Sequence, residues 1–140
     1  MGIDNLFADG SLKRIEKSPE RAEKSLEAAA KYLKDARLSL GAGAFSVSVL
    51  GSYSAAFHAA RAILFTDGMA ERSHYAVCEY LREKHGALGS AEVNGLNMYR
   101  SLRHNVAYGL ERGSDEKEAK AALAFAGRFV AKVRKYLGAK

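Results

Sequence analysis

A long uncharged segment is the feature that most constrains the fold of this chain. Residues 38–60 contain no Asp, Glu, Lys or Arg, although charged residues make up 27% of the sequence. A segment of this length can span a bilayer with a hydrocarbon core of about 30 Å. However, it carries five serines and three glycines, together with Tyr53 and His58, and few of its residues are large and apolar. The segment therefore predicts a buried helix at the centre of a bundle rather than a membrane span.

The remaining sequence predicts further helices around that segment. Ala, Leu, Lys, Glu and Arg dominate, and there is one proline and no tryptophan, a composition typical of helical proteins. Apolar residues recur at spacings of three and four, which marks one buried face per helix. Five helices are predicted: 19–40, 44–67, from after Ser73 to near Gly86, from after Ser90 to near Gly109, and from Ser114 onward.

Capping residues support these boundaries. Ser18 is a good N-cap before Pro19, Gly68 ends the second helix, and Ser114 is expected to cap the last one. The short turn at 41–43 implies antiparallel neighbours. The sequence therefore predicts one domain over 1–140, an all-α up-and-down bundle of four to five helices. Residues 1–17 are expected to be a loose N-terminal arm or a short helix.

Charge and cysteine content bound the environment and the partners. The net charge of +6 and the pI of about 9.5 favour a polyanionic partner such as nucleic acid. Basic residues alternate with acids over 16–37. The charged face of the first predicted helix is therefore explained either as a solvated surface or as a phosphate-binding surface. Cys78 is the only cysteine, is expected to be buried, and forms no internal disulfide. Together with an N-terminus unlike a signal peptide, this predicts a cytoplasmic protein.

No pattern in the sequence calls for a metal or a cofactor, and none is expected. His74 and His85 lack a metal-ligand spacing, and the turn at 41–43 lacks the lysine and the strand of a phosphate loop. His58 and Arg61 lie on the second predicted helix, where His58 is expected to be a buried, hydrogen-bonded histidine.

The stretch 100–108 is where chemistry is expected. Arg100, His104 and Tyr108 are spaced four apart and share one helix face. Arg103 and Tyr108 are about 140° apart on an ideal helix. They are expected to converge only if the helix end distorts or a two-fold dimer joins two copies.

A structural explanation of the same residues stays open. Arg100 and Arg103 would then pair with acids, for which the candidates are Glu79, Glu83 and Glu111. His104 would be a surface residue, and the ring of Tyr108 would lie in the core.

Three ordered segments resemble the HEPN family of small helical domains. The first is the alanine- and aromatic-rich run 52–64, and the second is Glu71-Arg-Ser-His74. The third is Arg103-His-Asn-Val-Ala-Tyr108, followed by 114–119 and the Phe129 helix. The resemblance covers about 19–137 and implies a helical bundle with a motif that begins at Arg103. Tyr108 closes that motif where most members have His, as in a subgroup of small stand-alone microbial members.

The resemblance implies RNA or nucleotide binding and metal-independent RNA cleavage. Arg103 would stabilise the phosphate, because its planar fork can hold two phosphate oxygens. His104 would transfer a proton, since an imidazole titrates near neutrality. Tyr108, whose ordinary pKa of about 10 makes it a poor base, would position substrate or accept a nucleotide from a partner enzyme. Further binding residues are expected at His74, Arg100 and Asn105.

The expected partners follow from the same resemblance. They are a second copy of the chain, joined through the second and fourth predicted helices, and a small nucleotidyltransferase of a toxin–antitoxin pair. A second hypothesis from another class is an inactive module that only binds such a protein partner.

Overall fold

The computed structural model describes residues 2–109 and 113–138 as a bundle of helices with one small sheet. The predicted all-α class is confirmed. The elements in chain order are α1 (Ile3–Ala8), β1 (Leu12–Arg14), α2 (Pro19–Gly41), α3 (Phe45–Asp67), β2 (Met69–Glu71), α4 (His74–Lys84), α5 (Ser90–Tyr108) and α6 (Glu116–Tyr136), with one 3-10 turn at Gly86–Leu88.

Helix α3, which contains most of the uncharged segment, lies at the centre of the bundle. It packs against α2, α5 and α6, and fully buried residues such as Ala55, Ala56 and Leu64 cover about half of its circumference. A Cβ added at Gly51 would lie 3.3 Å from the Cβ of Ala36, so this glycine permits a close approach of α2. Among residues 2–109 and 113–138, no helix is sufficiently long and apolar to cross a membrane.

Most of the predicted helix boundaries are confirmed by their caps. The side chain of Ser18 accepts from the Arg21 amide, and the side chain of Ser73 accepts from the Ala76 amide. Gly68 ends α3 with a φ of 83°, in the left-handed region that favours glycine. Helix α5 begins at Ser90 itself, with Gly89 as its N-cap.

The prediction that Ser114 caps the last helix is wrong by one residue. Asp115 is the N-cap of α6 and forms a reciprocal capping box with Glu118. The Ser114 amide instead donates to Oγ of Ser46 over 3.0 Å, which ties this segment to the start of α3. Both residue types are good caps, so the tertiary contact decides between them.

The N-terminal segment is packed against the bundle and is not a loose arm. Strand β1 pairs antiparallel with β2, with Leu12 opposite Glu71 and Arg14 opposite Met69. Ile3 and Leu12 are only 5% and 1% exposed. Three-residue strands show no periodicity, and the two strands are far apart in sequence, so the sequence contains no signal for this pairing.

Candidate functional site

His74, the first residue of α4, is the best-fixed histidine on the face where α3, α4 and α5 meet. Its ring stacks on that of Phe57 with centroids 3.9 Å apart and planes at 9°. Its Nδ1 lies 2.9 Å from the hydroxyl oxygen of Tyr53. One helix, α3, thus supplies both contacts, because Tyr53 and Phe57 are four residues apart and share a face. The imidazole is held in both position and orientation.

The hydrogen bond with Tyr53 determines which nitrogen of His74 is available. Burial raises the pKa of Tyr53 far above its ordinary value, so the hydroxyl keeps its proton and can donate it. A tyrosine hydroxyl can donate or accept; where that of Tyr53 donates, Nδ1 of His74 accepts and the ring proton resides on Nε2. In the part of the chain that the structure describes, Nε2 makes no hydrogen bond, and it is not among the buried unpaired atoms. With its proton on Nε2, His74 offers an N–H donor to solvent or to a ligand.

Positive charge is concentrated around this histidine. Burial lowers the pKa of His74, and the charges of Arg103, Arg100 and Arg61 lower it further, with a contribution from His58. The ring is therefore neutral near pH 7. We refer to Arg61, His74, Arg100 and Arg103 as the arginine–histidine cluster.

The three arginines of the cluster differ in their contacts. Nε of Arg61 donates to Oε1 of Glu71 over 3.2 Å. The Arg100 guanidinium lies 5.6 Å from the ring centroid of Tyr75 and donates to the Asn97 side chain over 3.0 Å. The guanidinium of Arg103 lies 6.0 Å from the ring centroid of Tyr108.

Arg100 and Arg103 have no acidic partner among residues 2–109 and 113–138. Of the expected partners, Glu79 pairs with Arg82, and Glu83 accepts from the backbone amide of Ile3. Glu111 lies outside the described residues. Pairing with Glu79 or Glu83 is therefore wrong as an explanation of these arginines, and their guanidinium groups are available to an anion.

The helical spacing within α5 predicts one contact of the motif correctly and misses another. The rings of His104 and Tyr108 lie 5.0 Å apart, as their four-residue spacing predicts. Arg103 also reaches Tyr108 within one chain, because its long side chain spans the angular gap at the helix end. Tyr108 is 65% exposed, so the alternative that its ring lies in the core is wrong. The side chains of His104 and Asn105 are also exposed.

His58 departs from the expectation of a satisfied buried histidine. Its ring stacks on Tyr32 at 5.3 Å between centroids, and its Nδ1 is buried without a hydrogen-bond partner in the described structure. Burial and then the charge of Arg61 lower its pKa. A neutral ring is therefore present on the α3 face beside the cluster.

Tyr53 and Phe57 are site residues that the sequence did not single out for a role. The spacing of four residues predicts that Tyr53 and Phe57 share a helix face, but it does not predict that His74 packs on that face. Cys78 is fully buried, as predicted, and burial raises the pKa of its thiol to about 11. No group of three His, Cys, Asp or Glu side chains in the described ranges is arranged to hold a metal ion.

The fold and this cluster define a small helical domain with a basic, histidine-containing face. A family model described as HEPN domain matches residues 22–136, and the chain belongs to the HEPN family.

Among solved structures, the chain is similar to the crystal structure of the protein TT1696 from Thermus thermophilus. The TM-score is 0.66 at 21% identity, over 82% of this chain and 97% of that one, which indicates a shared fold. No curated protein sequence matches the chain.

Proposed function

We propose that this HEPN domain binds RNA or a nucleotide through a phosphate group held by the arginine–histidine cluster. The observation that carries the proposal is that the charges of Arg100 and Arg103, which have no acidic partner in the described residues, act on a fixed His74 and lower its pKa. Uncompensated guanidinium groups next to a protein N–H donor match the oxygens of a phosphate, which accept hydrogen bonds and carry charge.

Catalysis, as the finer proposal, follows the family motif. Arg103 would stabilise the charge that builds on the phosphate during metal-independent RNA cleavage, and His104 would transfer a proton. Tyr108 would position the substrate or accept a nucleotide. In this proposal the domain acts as a homodimer and is paired with a small nucleotidyltransferase in a toxin–antitoxin system.

A second candidate function is favoured by exposed apolar side chains on α4 and α5. Met98 on α5 is 56% exposed, Tyr75 on α4 is 47% exposed, and Tyr108 is 65% exposed. Aromatic and methionine side chains are enriched in protein interfaces. An inactive module that binds a protein partner, such as a nucleotidyltransferase, would use this surface and would need no RNA.

The proposal predicts that Arg103→Ala weakens RNA binding about tenfold or more, since a charge-assisted hydrogen bond is worth about 1.5–3 kcal/mol. Binding of a fluorescent single-stranded RNA is measured with chelator present over a series of salt concentrations. If Arg103 contacts a phosphate, the plot of log affinity against log salt concentration becomes shallower in the variant, by about 0.7 in the magnitude of its slope. Gel analysis of mixed structured RNAs, with His104→Ala alongside, reports cleavage in the same samples.

The matched control is Lys135→Ala, which removes one positive charge from an exposed position at the end of α6. We expect it to bind RNA like the wild type. If both variants lose the same RNA affinity, the loss is explained by net charge and not by a specific contact of Arg103. A folded wild type that neither binds nor cleaves RNA would shift the assignment to the partner-binding module.

A further inference from the structure

Two histidines lie near the arginines, and the structure holds them very differently. His104 is exposed on α5, and its ring contact is with Tyr108, which is itself exposed. His74 is covered on one face by Phe57, fixed at Nδ1 by Tyr53, and shares its surroundings with three arginines. A group that must meet a phosphate in a defined geometry needs such support from the residues behind it.

His74 is also better suited to contact a phosphate as a neutral hydrogen-bond donor than as a cation. Its neutral ring with the proton on Nε2 presents one N–H, and the neighbouring guanidinium groups supply the charge. A Tyr53 hydroxyl that donates to Nδ1 favours this state, because Nδ1 accepts a hydrogen bond only when it is unprotonated. Loss of the hydroxyl would release the ring to the other tautomer.

From these contacts we propose that His74 is the histidine that contacts the bound phosphate, donating from Nε2, and that Tyr53 is its positioning residue. This inference rests on the proposed function and specifies which imidazole of the site meets the ligand. His104 would then serve the proposed proton transfer, and His74 would be the histidine that holds the phosphate.

The test combines histidine 15N NMR spectra of the full chain with the RNA-binding measurement. In the wild type, the proton of His74 is expected on Nε2, and its Nε2–H signal shifts when the single-stranded RNA or inorganic phosphate is added. Tyr53→Phe is expected to weaken RNA binding about fivefold, the effect of one hydrogen bond, and to populate the Nδ1–H tautomer. His74→Gln, whose amide can place an N–H near the same point, should retain more affinity than His74→Leu.

Tyr80→Phe is the matched control, since Tyr80 is also buried and its hydroxyl donates to Asp67 over 2.7 Å on the other side of α4. It should lose some stability and no RNA affinity. An RNA-induced shift at His104 with none at His74 would overturn the inference, and this measurement needs no variant.

Failure of the inference is distinguishable from failure of the proposed function. If Tyr53→Phe and His74→Leu bind RNA like the wild type while Arg103→Ala does not, the cluster binds phosphate without His74. If Arg100→Ala and Arg103→Ala also leave affinity unchanged, the proposed function itself fails.

Discussion

At the scale of single residues, His58 and His74 both contribute to the response of the folded chain to acid. Burial and nearby arginines lower the pKa of both below the ordinary value of 6.5. Between those lowered values and 6.5 the unfolded chain binds more protons than the folded one, so stability falls as pH falls. The contribution is fully present above about pH 6.5 and is lost progressively below it.

The prediction is that urea unfolding gives a lower free energy at about pH 5 than at about pH 7.5, and that His74→Gln flattens this dependence. Gln cannot titrate, so the part of the slope due to His74 disappears. A variant with the wild-type slope would show that His74 titrates alike in the folded and unfolded chain.

The same residues show how far the sequence reaches into the site. Helical spacing predicted the contact between His104 and Tyr108, because both lie on one helix and no tertiary information is needed. The pairing of Tyr53 with His74 joins α3 to the start of α4, and it depends on how the two helices are placed. Spacing within one helix contains no such information.

At the scale of elements, a glycine determines how closely α5 can approach α6. An added Cβ at Gly95 would lie 2.4 Å from Cε1 of Phe125, whose ring is buried and stacks on Phe129. The Phe125 ring therefore occupies the place where a side chain at position 95 would be, and it has little room to move in a packed core.

We expect Gly95→Ala to lower the free energy of unfolding by about 1–2 kcal/mol, because overpacking outweighs the gain in helix propensity. Gly127→Ala in α6 is the matched change, since an added Cβ there meets nothing within 4 Å. It should raise stability by about 0.5–1 kcal/mol. Thermal and urea unfolding of both variants measure the difference, and equal effects would contradict the close α5–α6 contact.

Helix ends illustrate what was and was not predictable at this scale. Ser18 and Ser73 act as caps through atoms a few residues away, and the sequence identified both. At the other end of α4, Nε2 of His85 lies 2.6 Å from the Asp67 carboxylate and Nδ1 lies 2.7 Å from the Tyr136 hydroxyl. This network joins the ends of α3, α4 and α6, which come together only in the folded bundle.

At the scale of the whole molecule, the N-terminal segment connects the edge of the bundle to the candidate site. The Ile15 amide donates to the Gly68 carbonyl over 2.9 Å, and the Arg72 amide donates to the Ser11 carbonyl over 2.8 Å. These bonds hold β1 on β2, which carries Glu71, the partner of Arg61, and leads directly into Ser73 and α4. Order in this segment thus supports the backbone that positions His74.

Leu12 is the side chain on which this arrangement depends most, because it is 1% exposed and lies on β1. Leu12→Ala is expected to cost about 2–5 kcal/mol, as is usual when a buried leucine is truncated. The control is Leu38→Ala, at a position that is 64% exposed, where the change should stay within about 0.5 kcal/mol. Urea unfolding followed by circular dichroism gives both values.

Hydrogen exchange then tests whether the segment and the bundle unfold together. If they form one cooperative unit, the amides of Ile15 and Arg72 are as protected as those of α3, and Leu12→Ala lowers protection at all of them. If Ile15 and Arg72 exchange much faster than α3, the N-terminal segment opens on its own. In that case β2 and the start of α4 would lose their support without unfolding of the bundle. Leu12→Ala would then reduce the free energy of RNA binding by more than it reduces the free energy of unfolding of the core.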